Sequence, residues 1–128
     1  LLFLLLRCNL NILYFPISLA LVYYIDMIML RVTKAKNIWQ STIGLVGAQK
    51  PYSLLLKTRF GIHTFGVSFP IDILILDQKH RVMRLKKSLQ PNRVFFWPPR
   101  WSIVIELPQN SINQQRIHIG DTVRLLEC

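Results

Sequence analysis

The stretch from Ile62 to Asp77 constrains this chain more than any other. It sets His63, Phe65, Phe69, a turn fixed by Pro70 and two carboxylates around the apolar run Ile71–Leu76. Five of those six residues are Ile or Leu, with no turn residue among them. A short continuous apolar run of this kind, launched by proline, reads as a strand covered on both faces. Alternation along it puts Asp72, Leu74 and Leu76 on one face and Ile71, Ile73, Ile75 and Asp77 on the other. An ionised carboxylate at position 72 is costly unless it is hydrogen-bonded or paired. Asp72 is therefore expected to be a polar fastener, accepting bonds from the loop His63–Ser68. Asp77 opens a turn, Asp77–His80, whose first residue suits an aspartate.

After that turn, Arg81–Lys87 returns as the partner strand of a hairpin. Further short strands are expected at Met27–Thr33, Tyr52–Lys57, Val94–Trp97, Ile103–Leu107 and Thr122–Leu126, with the breaker Pro98–Pro99 between two of them. Asn37 suits a helix N-cap, Trp39, Ile43 and Val46 share one face after it, and Gly47 is placed to end that helix. Ser111–Gln115 has room for one helical turn. About seven short strands, with turns roughly every 8–12 residues, predict a mainly β domain: a compact sandwich or partly closed barrel with one or two short helices. The sequence carries no internal repeat.

At 128 residues the chain has the length of one domain. Residues 27–128 are read as that domain and residues 1–26 as an apolar extension of different composition. Three readings of the extension stay open. Translation beginning at Met27 or Met29 makes it an upstream read-through and the domain cytoplasmic. As an anchor, its cleanest apolar run (Ile12–Ile25, 14 residues) is shorter than the roughly 20 a span needs. As a signal it lacks a small-residue cleavage site. Membrane contact follows only from the anchor reading, membrane anchoring or export only from the last two. With an anchor, Arg31, Lys34 and Lys36 outnumber Arg7, and the basic side stays cytoplasmic. Cys8 and Cys128 lie at opposite ends, and no Cys/His spacing suits zinc, so no metal and no cofactor is expected.

Three further segments complete a pattern: Gly44-Leu45 at a helix end, Glu106-Leu107-Pro108, and Gly120-Asp121. Together with His63-Thr64-Phe65-Gly66 and Phe69-Pro70-Ile71-Asp72 running to Leu76-Asp77, their order and spacing resemble a bacterial and archaeal family, domain of unknown function 192, over roughly residues 27–126. Val67 stands where that family often has Met, and Asn110 where it often has Gly; Asn tolerates left-handed backbone, so the turn should survive. The resemblance implies a compact mainly β fold and no activity.

Candidate functional or structural positions are His63, Thr64, Phe65, Asp72 and Asp77. His63 as a general base needs a carboxylate to set its tautomer, from Asp72 or Asp77 on a neighbouring strand. The plainer alternative is a histidine bonding backbone at a turn, because no serine, cysteine or metal motif completes a catalytic set. Charge supplies the other lead. Lys and Arg number 16 against 6 Asp and Glu, a net +10, which draws a domain to anionic ligands or surfaces. Arg81, Arg84, Lys86 and Lys87, with Lys79 and His80, form the densest basic cluster. Phe95, Phe96, Trp97, Trp101, Arg93 and Arg100 follow, a mixture that suits single-stranded nucleic acid. A domain this small must also bury most of its large rings, which favours a solvated basic hairpin beside buried aromatics. The expected function is accordingly a small non-catalytic binding or interaction module of unidentified partner. The alternatives are an enzyme centred on His63 and Asp72, and a weak binder of nucleic acid or anionic surfaces through the basic face.

Overall fold

The six-residue apolar run lies inside the main sheet, with a strand on either side of it. In the computed structural model, which describes residues 28–36 and 44–127, it forms a strand whose every side chain is buried. The extension over residues 1–26 and the expected helix start at Asn37, with Trp39 and Ile43, lie outside the described residues. The elements in order are β1 (Ile28–Lys34), β2 (Leu54–Lys57), β3 (Gly61–His63), β4 (Ile71–Leu76), β5 (Val82–Leu89), β6 (Val94–Phe96), β7 (Ile103–Pro108), α1 (Ser111–Gln115) and β8 (Val123–Glu127). The fold is mainly β. Eight strands among the described residues replace the expected seven. The added one, β3, has three residues, too few to show any periodicity.

Six strands form one sheet in the order β5-β4-β7-β2-β1-β8, and β3 and β6 form a separate antiparallel ribbon. Antiparallel pairing joins β5, β4, β7 and β2, whereas β1 runs parallel to both β2 and β8. The two outer strands approach each other at one end. Arg81 bridges Thr122, the Val82 N–H donates to the Asp121 carbonyl (2.8 Å), and the Val123 N–H donates to the His80 carbonyl (3.0 Å). The sheet is thereby rolled into a half-barrel, the partly closed form of the two expected architectures.

Rolling gives the sheet an inside and an outside, and each has its own core. Inside pack Leu30, Val32, Leu74, Leu76, Val82, Ile105, Leu107 and Val123, closed off by Ile112 and Ile117. Outside, Leu54, Leu56, Ile71, Ile73, Ile75 and Val104 are covered by Leu45, Val67, Leu89 and Trp97. Both faces of β4 are thus apolar because both are covered. Each such side chain contributes about 1.5–3 kcal/mol on burial. Phe95 and Ile62, from the β3–β6 ribbon, pack against the outer core. The two faces of β4 divide as alternation predicts. At Asn110 the backbone is left-handed (φ 72°), the conformation expected for the residue standing at a glycine position.

Candidate functional site

Asp72 is buried, with 1% of its surface exposed, on the inner face of the half-barrel. Its Oδ1 accepts the Ser88 N–H and its Oδ2 the Ile112 N–H, each at 2.9 Å. Both donors are backbone groups that lack a regular partner. Ser88 has φ 51° and lies where the β4–β5 ladder slips register, between the pairs Ile71–Leu89 and Ile73–Lys86. Ile112 lies in the first turn of α1, whose N-cap Asn110 makes no side-chain cap. Asp72 therefore caps α1 from a neighbouring strand and satisfies a bulge at the same time. The expected donors, in the loop His63–Ser68, are not the ones used.

Thr64 anchors that loop instead. It is fully buried; its Oγ1 donates to the Gln90 carbonyl (2.6 Å) and accepts the Arg93 N–H (2.9 Å). Its own N–H donates to the Arg93 carbonyl (2.8 Å), and its carbonyl accepts the Val67 and Asn92 N–H groups. One threonine thus ties the turn at 64–67 to the turn at 90–93 and holds the end of the ribbon in place.

His63 does not join either carboxylate. It closes β3, is exposed, and stacks on Phe65 with ring centroids 5.4 Å apart. Asp72 has both oxygens engaged as above. Asp77 accepts the Lys79 and Arg81 N–H groups on Oδ1 (both 2.9 Å) and the Arg81 Nε on Oδ2 (3.0 Å). The Arg81 N–H above all, with the Arg81 guanidinium and the Lys79 N–H adding to it, holds the Asp77 carboxyl below its ordinary value of 3.8. Among the described residues no three His, Cys, Asp or Glu are grouped as a metal site would need.

The ribbon exposes what a small domain ordinarily hides. Gly61 pairs with Phe96, Ile62 with Phe95 and His63 with Val94. Ile62 and Phe95 turn inward, so Gly61, His63, Val94 and Phe96 form the solvent face. Phe96 is 69% exposed, Phe60 at the ribbon's start 64%, and Phe65 beyond its end 51%. A methyl group on Gly61 would come within 2.5 Å of the Phe96 ring, so that ring occupies the space a side chain at 61 would fill. The expectation that the aromatics are buried is correct for Trp97, whose Nε1 donates to the Trp101 carbonyl (2.8 Å). It is wrong for Phe96, the preceding residue and hence on the opposite face.

The basic residues do not form one cluster. Arg84, Lys86 and Lys87 are exposed on β5, an outer strand of the sheet, whereas Arg81 is engaged by Asp77. Arg84 comes round to the aromatic end of the molecule. Its guanidinium lies 5.6 Å from the Trp101 ring centroid, and that of Arg100 lies 5.0 Å from it. Beside them a cleft of about 280 Å³ opens between the turn at Asp77–Arg81 and Arg100–Ser102.

Glu106, marked in the sequence only as part of Glu106-Leu107-Pro108 and given no role there, is a further buried carboxylate. It is 3% exposed, on the outer face of β7, between Leu54 of β2 and Ile73 of β4. Its carboxyl accepts the Leu45 N–H, while Oε2 has no partner among the described residues. Burial pushes it up from 4.5 to about 7, against the smaller opposing effect of the Leu45 N–H. Gly44, at φ 59°, lies so close that a methyl group there would come within 2.9 Å of Oε1. The signal was the same one that marked Asp72: a carboxylate inside an apolar strand, here Ile103–Leu107.

Two solved structures share the fold. A protein of unknown function from Novosphingobium aromaticivorans DSM 12444 superposes with a TM-score of 0.63 at 15% identity, covering 71% of each chain. A putative transcription regulator from Sinorhizobium meliloti 1021 superposes with a TM-score of 0.65 at 15% identity, covering 71% of this chain and 78% of its own. No curated protein matches. The half-barrel is thus a recurrent fold, and the sequence matches one family over residues 25–125: the chain belongs to DUF192, the uncharacterised ACR family.

Proposed function

We propose that this domain is a non-catalytic binding module that takes an anionic partner on the solvent face of the β3–β6 ribbon. The observation that carries this reading is the exposure of Phe96 on the solvent face of the ribbon and of Phe60 and Phe65 just outside the two ends of β3. Exposed apolar rings close together in the chain's pairing mark contact surfaces, because leaving them in water forfeits their burial energy. The sign of the partner follows from charge. Residues 57–71 and 78–105 contain no Asp or Glu, while Lys57, Arg59, Arg93 and Arg100 flank the ribbon. An enzyme built on His63 and Asp72 is disfavoured by their separate engagements, His63 stacked on Phe65 and Asp72 fully bonded within the core.

The test is a binding panel on the full chain by fluorescence anisotropy: a labelled oligothymidylate, an acidic peptide and phosphatidylserine vesicles. At least one probe should bind, and the triple change Phe60→Ser, Phe65→Ser, Phe96→Ser should weaken it by about tenfold or more. Unchanged affinity in a folded triple variant would remove the ribbon as the contact surface.

A further inference from the structure

Resting on that reading, we infer that the anionic partner is single-stranded nucleic acid, lying along the ribbon with bases on Phe96, Phe60 and Phe65 and phosphates on Arg59, Arg93 and Arg100. The ladder spaces the rings. Phe96 sits at the Gly61 rung and the His63–Val94 rung is two residues on, about 7 Å further along the strand. Phe65, stacked on His63, continues the line beyond it. The rings are thus set out in sequence rather than closed into one apolar cluster, and successive bases of an unstacked strand need successive platforms.

Gly61 makes the Phe96 platform. With no side chain of its own, it lets the Phe96 ring lie across the ribbon while 69% of that residue faces solvent. Cations accompany the rings in the chain itself. Arg59 precedes Phe60, Arg100 precedes Trp101, Arg93 stands three residues before Phe96, and all three arginines are exposed. Trp101 already has the Arg84 and Arg100 guanidinium groups against it, the mixed stacking of cation and ring that such strands exploit. An acidic polypeptide would answer the cations but offer few flat faces to the rings. A duplex keeps its base faces inside the stack, so it too leaves the rings unused.

The experiment titrates the full chain into labelled oligothymidylate, the same sequence annealed as a duplex, an acidic peptide and phosphatidylserine vesicles. The single strand should bind more tightly than the duplex. Phe96→Ala and, separately, Phe65→Ala should each weaken single-strand binding by about fivefold or more, the effect of one stacked base. Three phosphate contacts give a slope of about −2 for log K against log salt concentration. Thermal unfolding of each variant checks that it is folded, and the two positions cover one another should either fail. Absence of single-strand binding, or single-strand binding indifferent to both rings, overturns the inference. If the peptide or vesicles bind in a ring-dependent way instead, the ribbon reading stands and only the nucleic acid is wrong. If no probe shows ring dependence, both fall.

Discussion

Replacing Glu106 by Gln should make the domain more stable above neutral pH, although it removes a native side chain from the core. The carboxyl is buried to 3% exposure, receives one backbone N–H and leaves Oε2 without a partner. Burial raises it from 4.5 to about 7. Below 4.5 both folded and unfolded chains carry the proton and nothing is lost. As pH rises, the unfolded chain releases its proton first, so stability falls through the interval up to about 7 and then levels. At about 1.4 kcal/mol per pH unit, that interval corresponds to about 3 kcal/mol. Gln has the shape of the protonated acid, offers an oxygen to the Leu45 N–H and cannot ionise. Denaturant unfolding should therefore place the two proteins within about 1 kcal/mol of each other near pH 5. Near pH 8 the Glu106→Gln protein should be ahead by about 3 kcal/mol. A native protein equally stable at both pH values, or a Gln protein weaker at the higher one, would refute the reasoning.

Asp72→Ala should cost about 2–6 kcal/mol, because two buried N–H groups, at Ser88 and Ile112, lose their acceptor; Asp72→Asn should cost less, since one oxygen remains. A melting temperature for Asp72→Asn at or above that of the native protein would show that the carboxylate strains the fold rather than fastening it. Thr64→Val keeps the shape but deletes the hydroxyl between the Gln90 carbonyl and the Arg93 N–H. A loss of about 1–3 kcal/mol should appear in chemical unfolding, and no loss would mean the two turns hold without it.

How far the sequence reaches is clearest at β4. Its continuous apolar run announces a strand covered twice, and the alternation within it correctly separates the inner residues Leu74 and Leu76 from the outer Ile71, Ile73 and Ile75. The hairpin to β5 is equally local and equally visible. The donors to Asp72 are not local: they lie 16 and 40 residues away, one at a register slip that pattern does not locate and one in the helical turn Ser111–Gln115, which the sequence marks without showing that it sits over Asp72. Parallel pairing of β1 with β8 leaves no mark either, because a parallel neighbour asks nothing of the intervening residues. Phe96 and Trp97 show a further limit. Which of two adjacent rings faces inward depends on the phase of a three-residue strand, too short for its own sequence to set. Glu106 was legible by the same argument as Asp72, from its place inside an apolar strand.

The pairing of Ile28 with Val123 carries a consequence for how the protein is made. A chain emerging from the ribosome can form the β4–β5 hairpin as soon as those residues are out. β1, the first described strand, must wait for β8, the last. Until then one side of β1 stands open, and the inner core lacks Val123 while the bridge between Arg81 and Thr122 cannot form. Joining strands so far apart in the chain carries a loop-closure cost that local contacts do not offset, and topologies of this kind fold in milliseconds to seconds. Folding of the domain should thus finish only once β8 has emerged, and until then the nascent domain carries an unpaired strand edge exposed to its neighbours.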